Sequence, residues 1–510
     1  MRTGGARLVA AGILLSRVFG LVRQRASAHF LGSGMAADAL AAAFRIPNLL
    51  QNLFGEGSLS ASFIPVYARL LAEGRTEEAG RVAGAVLGLL ALVVSVVVAL
   101  GVLCAPWLVD LLAPGFGGDT RELTVLLVRV IFPGLGLLVL SAWCLGVLNA
   151  HRRFFLSYAS PVMWNAAIII ALLWQGPQQR MEALAVTVAW ASVLGAFLQF
   201  VVQLPTVWRV DRTLSLTAGD AAPHVRTVVR NFGPALATRG VVQLSGYVDT
   251  IIASLLGAGA LATLSYAQAI SMLPVSLFGM SIAASELPAM SGATGNDDEI
   301  AAALRRRLES GLQRVAYFVI PSAMAFVALG GVLASALYEG GAFTREDSKW
   351  VWGALGGSAV GLLAGTMGRL YASASFALGD TRAPFRFAFA RVTLGAALGS
   401  TLAMWAPRAL DVDGRWGIAV LTAASGFAGW LEFVLLRAHV HKRIGRVELP
   451  RGLAIRIWAC AVIAAAVAVL LLRVTSAWHP LLNGAVVCGV YCATYLGVAR
   501  ATGVDHARRA

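Results

Sequence analysis

Apolar runs of about 20 residues recur along almost the whole chain, and a run of that length matches one α-helical crossing of a bilayer. Of 510 residues, 58% are hydrophobic and only 13% charged. A soluble domain carries about 25% charged residues. Mean hydropathy is +0.75. The pattern predicts an all-α polytopic membrane protein with about 14 transmembrane helices. The formal charge of +15 does not point to nucleic acid, because the basic residues are scattered between apolar segments without aromatic interleaving. They lie mostly in alternate loops: roughly two dozen Lys/Arg on one side against about seven on the other. That bias places both termini in the cytoplasm of a multi-pass protein. The first span carries arginines and lacks a small-residue cleavage site, so it is expected to be retained.

Charge inside the apolar pattern is the second signal. The stretch SRVFGLVRQRASAHFLGSGMAADALAAAFRIPNLLQNLFGEGSLSASFIPVY, residues 16–67, reads as two helices joined by a glycine turn at Leu31–Gly34. Arg17, Arg23, Arg25, Asp38, Arg45 and Glu56 all fall within it. An Arg or Asp at mid-bilayer costs about 2.5–3.5 kcal/mol on insertion scales, so such a set implies a wet, protein-lined interior. A guanidinium fork matches phosphate oxygens and stays charged when dehydrated, which suggests an anionic, phosphate-bearing substrate. The competing reading pairs these arginines with Asp38 and Glu56 as fixed salt bridges. Arg17 and Arg23 differ in angle around the helix by more than a narrow stripe, so the arginines are not expected to meet one ligand together. Arg369, deep in the tenth span, is a further candidate for the cavity wall. Asp249 is a candidate ligand for a coupling cation, with Tyr247 and Ser254 nearby in sequence, or else a partner for an arginine such as Arg239.

Internal repetition organises the spans. Leu31-Gly32-Ser33-Gly34 leads through Pro47 to Phe54-Gly55, and Leu256-Gly257-Ala258-Gly259 leads through Pro274 to Phe278-Gly279. Further on, LLAPGFGGDTREL resembles LYEGGAFTRED. An offset of about 225 residues spans about six helices and returns the chain to the same side, which makes the halves parallel repeats. The expected organisation is an N-terminal lobe at 1–215 (helices one to six), a second lobe at 216–445 (seven to twelve), and two additional helices at 446–510. Prolines within spans, including Pro65, Pro133, Pro274 and Pro321, each free a backbone carbonyl. Such breaks are cheapest where a neighbouring helix supplies a new partner.

Enzymatic readings find little support. Five cysteines sit in apolar segments without metal spacing, and the histidines fall mostly at loops or ends. GxSxG, Walker and HExxH motifs are absent from the sequence. No enzyme activity, metal or cofactor is expected; a monovalent cation or the membrane potential is the candidate driving force.

The segments SRVFGLVR, LGSGMAADAL, FRIPNLL, FGEGSLSASFIPVY, LAPGF, LSYAQ and LPVSLFGMSIAASELPAMS resemble the MurJ/MviN family over nearly the whole chain. The resemblance implies lipid II flippases of the multidrug/oligosaccharidyl-lipid/polysaccharide exporter superfamily. It implies two six-helix lobes, a cationic cavity, and a groove for the polyprenyl tail at the last two helices. It carries headgroup handling to Arg17 and Arg23, with Asp38 and Glu56 nearby and Arg369 matching in helix ten. The chain departs from the family pattern at Gln51-Asn52 and at Ala267-Gln268-Ala269, where arginine is common. The implied function is transfer of lipid II from the cytoplasmic to the periplasmic leaflet of the bacterial inner membrane by alternating access. The implied partners are lipid II, membrane lipids and the peptidoglycan synthesis machinery, with no nucleic acid. The alternatives are export of another polyprenyl-linked oligosaccharide, multidrug antiport, and a transport-inactive membrane scaffold.

Overall fold

The computed structural model describes residues 3–54, 56–215, 222–283, 286, 290, 296–447 and 449–505. Among them the protein is helical throughout, with one isolated β-bridge at Gly340 and Phe343. Eleven helices are long and apolar enough to cross a membrane. The first, second and seventh expected spans are also helical but fall outside those eleven, and each holds several embedded charges: Arg17, Arg23 and Arg25, then Asp38, Arg45 and Glu56, then Arg239 and Asp249. This is a multi-pass membrane protein. All five cysteines are free thiols.

The chain forms two compact units, Met1–Ala258 and Gly259–Ala510. The repeat boundary expected near 215 describes sequence correspondence, whereas these units describe packing. In the first unit the helices are α1 (Thr3–Leu31), α2 (Met35–Phe54), α3 (Glu56–Ala72), α4 (Thr76–Leu103), α5 (Ala105–Leu112), α6 (Gly118–Ala150), α7 (Phe154–Ala159), α8 (Pro161–Gln175), α9 (Met181–Val201), α10 (Leu204–Val210) and α11 (Ala222–Ser254). The hub is α6, packed against α2, α3, α4 and α9. Its buried Trp143 donates from Nε1 to the Ala83 carbonyl of α4 at 3.1 Å, and its Ser141 accepts from Gln199 and Gln203. The indole N–H, the Ser141 hydroxyl and the two glutamine amide N–H groups thereby find partners within the protein. The turn between α1 and α2 needs Gly32 at φ 62°.

In the second unit α12 (Ala260–Pro274) runs into a π-helical turn at Val275–Met280. It is followed by α13 (Asp297–Tyr338), α14 (Arg345–Ala377), α15 (Arg382–Ala409), α16 (Gly417–Ile444), α17 (Arg451–Thr475) and α18 (Pro480–Ala501). Capping boxes start two of them, Asn296 with Glu299 at α13 and Thr344 with Asp347 at α14. The centre of the unit is the pair α14 and α16: α16 packs on α14 and α15, and α14 also packs on α12 and α13. Glycines let α14 and α16 touch backbone to backbone: a Cβ on Gly361 would lie 2.4 Å from the Gly426 Cα.

Proline and tyrosine fasten the last helix to this unit. Pro321 lies inside α13 and has no N–H for the carbonyl of Tyr317, four residues back. The Tyr495 hydroxyl of α18 donates to that carbonyl at 2.6 Å, and Tyr491 donates to the Pro321 carbonyl at 2.7 Å. Both tyrosines are buried. Tyr495→Phe strands the freed carbonyl in the apolar interior and is expected to destabilise the protein by about 1–3 kcal/mol. A lowered apparent melting temperature in detergent would register it; an unchanged value would refute it.

In the first unit a polar knot closes the loop end of α6. Tyr67 gives its one proton to Asp211 Oδ2 at 2.8 Å, so its oxygen accepts from His151 Nε2, also at 2.8 Å. Burial pushes the His151 pKa below its ordinary 6.5, with Asp211 opposing and Arg153 reinforcing the shift. The folded protein therefore takes this proton less readily than the unfolded chain. Its stability contribution is intact above about pH 6.5 and declines as pH falls through the lower folded value. Melting temperature is expected to drop between about pH 7.5 and about pH 5.5, and His151→Gln to flatten part of that drop.

Candidate functional site

Two clusters in the first unit form around embedded arginines, Arg23 and Arg45. On α1, Arg23 donates from Nε to Asn165 Oδ1 of α8 at 3.0 Å. Its guanidinium carbon sits 4.9 Å from the centroid of the Trp164 ring. The Asn165 amide donates to the Pro161 carbonyl at 3.0 Å, which fixes its oxygen toward Arg23. Phe44 of α2 meets the Trp164 ring edge-on at 5.7 Å. The cation is thus held over an indole face, an arrangement worth about 2 kcal/mol when desolvated. Lysine lacks the planar group to copy it.

The second cluster joins α2 to α11. Arg45 donates from Nη1 to the Gly246 carbonyl at 3.1 Å and to Thr250 Oγ1 at 2.5 Å. Tyr247 returns a bond from its hydroxyl to the Arg45 carbonyl at 2.9 Å. The Asp249 carboxylate lies within electrostatic reach of this arginine. The hydroxyls considered for a cation shell around Asp249 have other uses: Tyr247 serves Arg45, while Ser254 donates to the Ile251 carbonyl and accepts from Gly115 N–H.

Arg17 is exposed, on the face that also exposes Leu14 and Val18. Arg25 is half-buried, and Asp38 is buried at 1% exposure. The Glu56 side chain lies outside the described residues. Arg369, on α14 of the second unit, is exposed and within electrostatic reach of Arg391 and Glu432. In the same unit, buried Glu286 has Arg314 at 3.4 Å and Arg307 at 3.9 Å. Among the described residues no group of three His, Cys, Asp or Glu side chains is placed to hold a metal ion.

A family model described as lipid II flippase MurJ matches residues 27–491. The chain belongs to the MurJ family. A probable lipid II flippase MurJ of Rhizobium tropici is 31% identical over 485 residues, covering 93% of this chain and 87% of that relative. The lipid II flippase MurJ of Burkholderia cenocepacia is 32% identical over 382 residues, covering 74% and 73%. A solved lipid II flippase MurJ in an inward closed conformation superposes with TM-score 0.79 at 22% identity, over 98% of this chain and 99% of that one. An inward-facing multidrug resistance MATE family transporter superposes with TM-score 0.65 at 16% identity, over 84% and 95%. At those identities the two structures speak for the fold alone.

Several partners in this MurJ-family chain escape sequence reasoning. Trp164 and Asn165 look like ordinary span residues until α8 is set beside α1. Arg391 and Glu432 were open to the same test that singled out Arg369, since each is a charge inside an apolar span. The Arg45 cluster yields a direct expectation. Arg45→Ala removes a cation within electrostatic reach of Asp249 together with two hydrogen bonds to α11, and should cost about 1–3 kcal/mol. Adding Asp249→Asn should restore part of the melting temperature, whereas fully additive losses would show that the two side chains are uncoupled.

Proposed function

We propose that this chain moves lipid II across the bacterial inner membrane, from the cytoplasmic to the periplasmic leaflet, by alternating access and without covalent chemistry. The observation that carries this reading is the match to the lipid II flippase MurJ family over residues 27–491, on a chain whose first helices embed arginines. Arg17 and Arg23 are assigned to the diphosphate. Arg23 is braced on Trp164 and Asn165, while Arg17 is exposed. The polyprenyl tail stays in lipid while the headgroup crosses. An inside-negative potential favours outward movement of the anion by about 2.3 kcal/mol per charge per 100 mV for a full crossing. Both termini lie in the cytoplasm, where enzymes that build the precursor are the natural neighbours. A monovalent cation coupled at Asp249 is the second candidate source of energy.

Cells depleted of their own flippase provide the test. Expression of this chain is expected to restore growth, and purified protein in vesicles to move labelled lipid II. Arg17→Ala and Arg23→Ala should each reduce rescue at least tenfold at unchanged protein level. Full rescue by both variants, or vesicles that move a different polyprenyl-linked sugar but not lipid II, would refute the proposal.

A further inference from the structure

The second unit carries its own embedded charge cluster, on three neighbouring helices. Glu432 is the only carboxylate of α16, and α16 packs against both α14 and α15. Arg391 of α15 brings Nε to 2.8 Å from Glu432 Oε2. Arg369 of α14 is within electrostatic reach of both. The helix ends also converge: Asp380, in the turn from α14 to α15, accepts from His439 and Arg443 near the end of α16. Counting from those ends at 1.5 Å per residue, Arg369, Arg391 and Glu432 lie at depths of about 12, 14 and 18 Å. The three charges share one level, inside the apolar slab.

Two features of this cluster bear on what it can bind. Two cations face one carboxylate, so one positive charge is left over. The hydrogen bonding is also incomplete. Arg391 Nε is buried, yet its N–H is not aligned on Glu432 or on any other acceptor among the described residues, despite the short ion-pair distance. Arg369 likewise makes no hydrogen bond and no contact ion pair among the described residues. A guanidinium offers five N–H donors in a planar fork, and a surplus of both charge and donors at membrane depth suits a multivalent anion.

We infer that Arg369 and Arg391 form a binding site for a phosphate-bearing lipid headgroup, with Glu432 as the internal counter-ion that the headgroup displaces. This rests on the flippase reading and adds a second station for the same cargo. The tetrahedral phosphate can accept from both forks, whereas the Glu432 carboxylate engages only one of them at contact distance. Glu432 also serves release. Two uncompensated arginines would hold an anion too firmly for transport, and a tethered carboxylate competes it off.

The test uses the purified full chain and a polyprenyl diphosphate as ligand. Arg391→Gln should weaken binding at least tenfold. Glu432→Gln should strengthen it severalfold, because the internal competitor is gone. A structural ion pair predicts weaker binding from both changes, so unchanged binding in Arg391→Gln or weaker binding in Glu432→Gln overturns the inference. Arg391→Lys keeps a cation beside Glu432 but loses the fork. Weaker binding at an unchanged melting temperature supports the site, and wild-type binding overturns it. Inorganic diphosphate should compete in the wild type and lose that ability in Arg391→Gln; equal competition in both overturns the assignment. Lipid II transport in vesicles separates this inference from its premise. A chain that moves lipid II equally well with and without Arg391→Gln keeps the flippase reading and loses this site. A chain that moves no lipid II, yet binds the diphosphate through Arg391, keeps the site and loses the flippase reading.

Discussion

A polar group inside a bilayer has no water to fall back on, so the protein itself must supply every partner. The carbonyl that Pro321 frees at Tyr317 shows one way this is met: a tyrosine hydroxyl from another helix reaches it at 2.6 Å. The same requirement governs the charges. Arg23 lies on an indole and is tied to an amide, and Arg45 is tied to a carbonyl and a hydroxyl of α11. Helix order, rotation and neighbour choice all answer to it.

Satisfying that requirement makes the helices a frame for cations. A carboxylate partner neutralises a guanidinium. An aromatic face or a neutral acceptor orients it and leaves its charge in place. The partners of Arg23 on α8 are of the second kind, which is consistent with the anion-meeting role proposed for it. Arg391 has a partner of the first kind, but at two cations to one carboxylate. Small residues complete the frame by letting helix backbones touch, as Gly361 and Gly426 do between α14 and α16.

Much of this was legible in the residues. Hydropathy located eleven spans among the described residues, and charges inside the apolar pattern marked helices that hold the clusters. Proline positions signalled freed carbonyls, and Pro321 bears out the idea that a neighbouring helix would repair one. The glycine turns at Leu31–Gly34 and Leu256–Gly259 both contain positive φ, at Gly32, Gly257 and Gly259. Pairing was much less legible. Arg17 and Arg23 look equivalent as charges in one helix, but six residues rotate the second by about 240° from the first. One is exposed and the other rests on Trp164. The Asp249 shell shows the same limit: neighbouring hydroxyls in sequence turned to other acceptors in space.

The sequence by itself determined that the chain is a membrane-spanning helical protein, which helices carry embedded charge, and which family it belongs to. These are properties of single segments, set by composition and by local motifs. Only the tertiary structure decided that Arg23 would meet Trp164 and Asn165, that Arg45 would meet Thr250, and that Arg391 would meet Glu432. Each pairing joins residues at least 40 positions apart. It depends on which helices become neighbours and how each is turned about its axis, and those quantities are settled by packing the helices of a unit together.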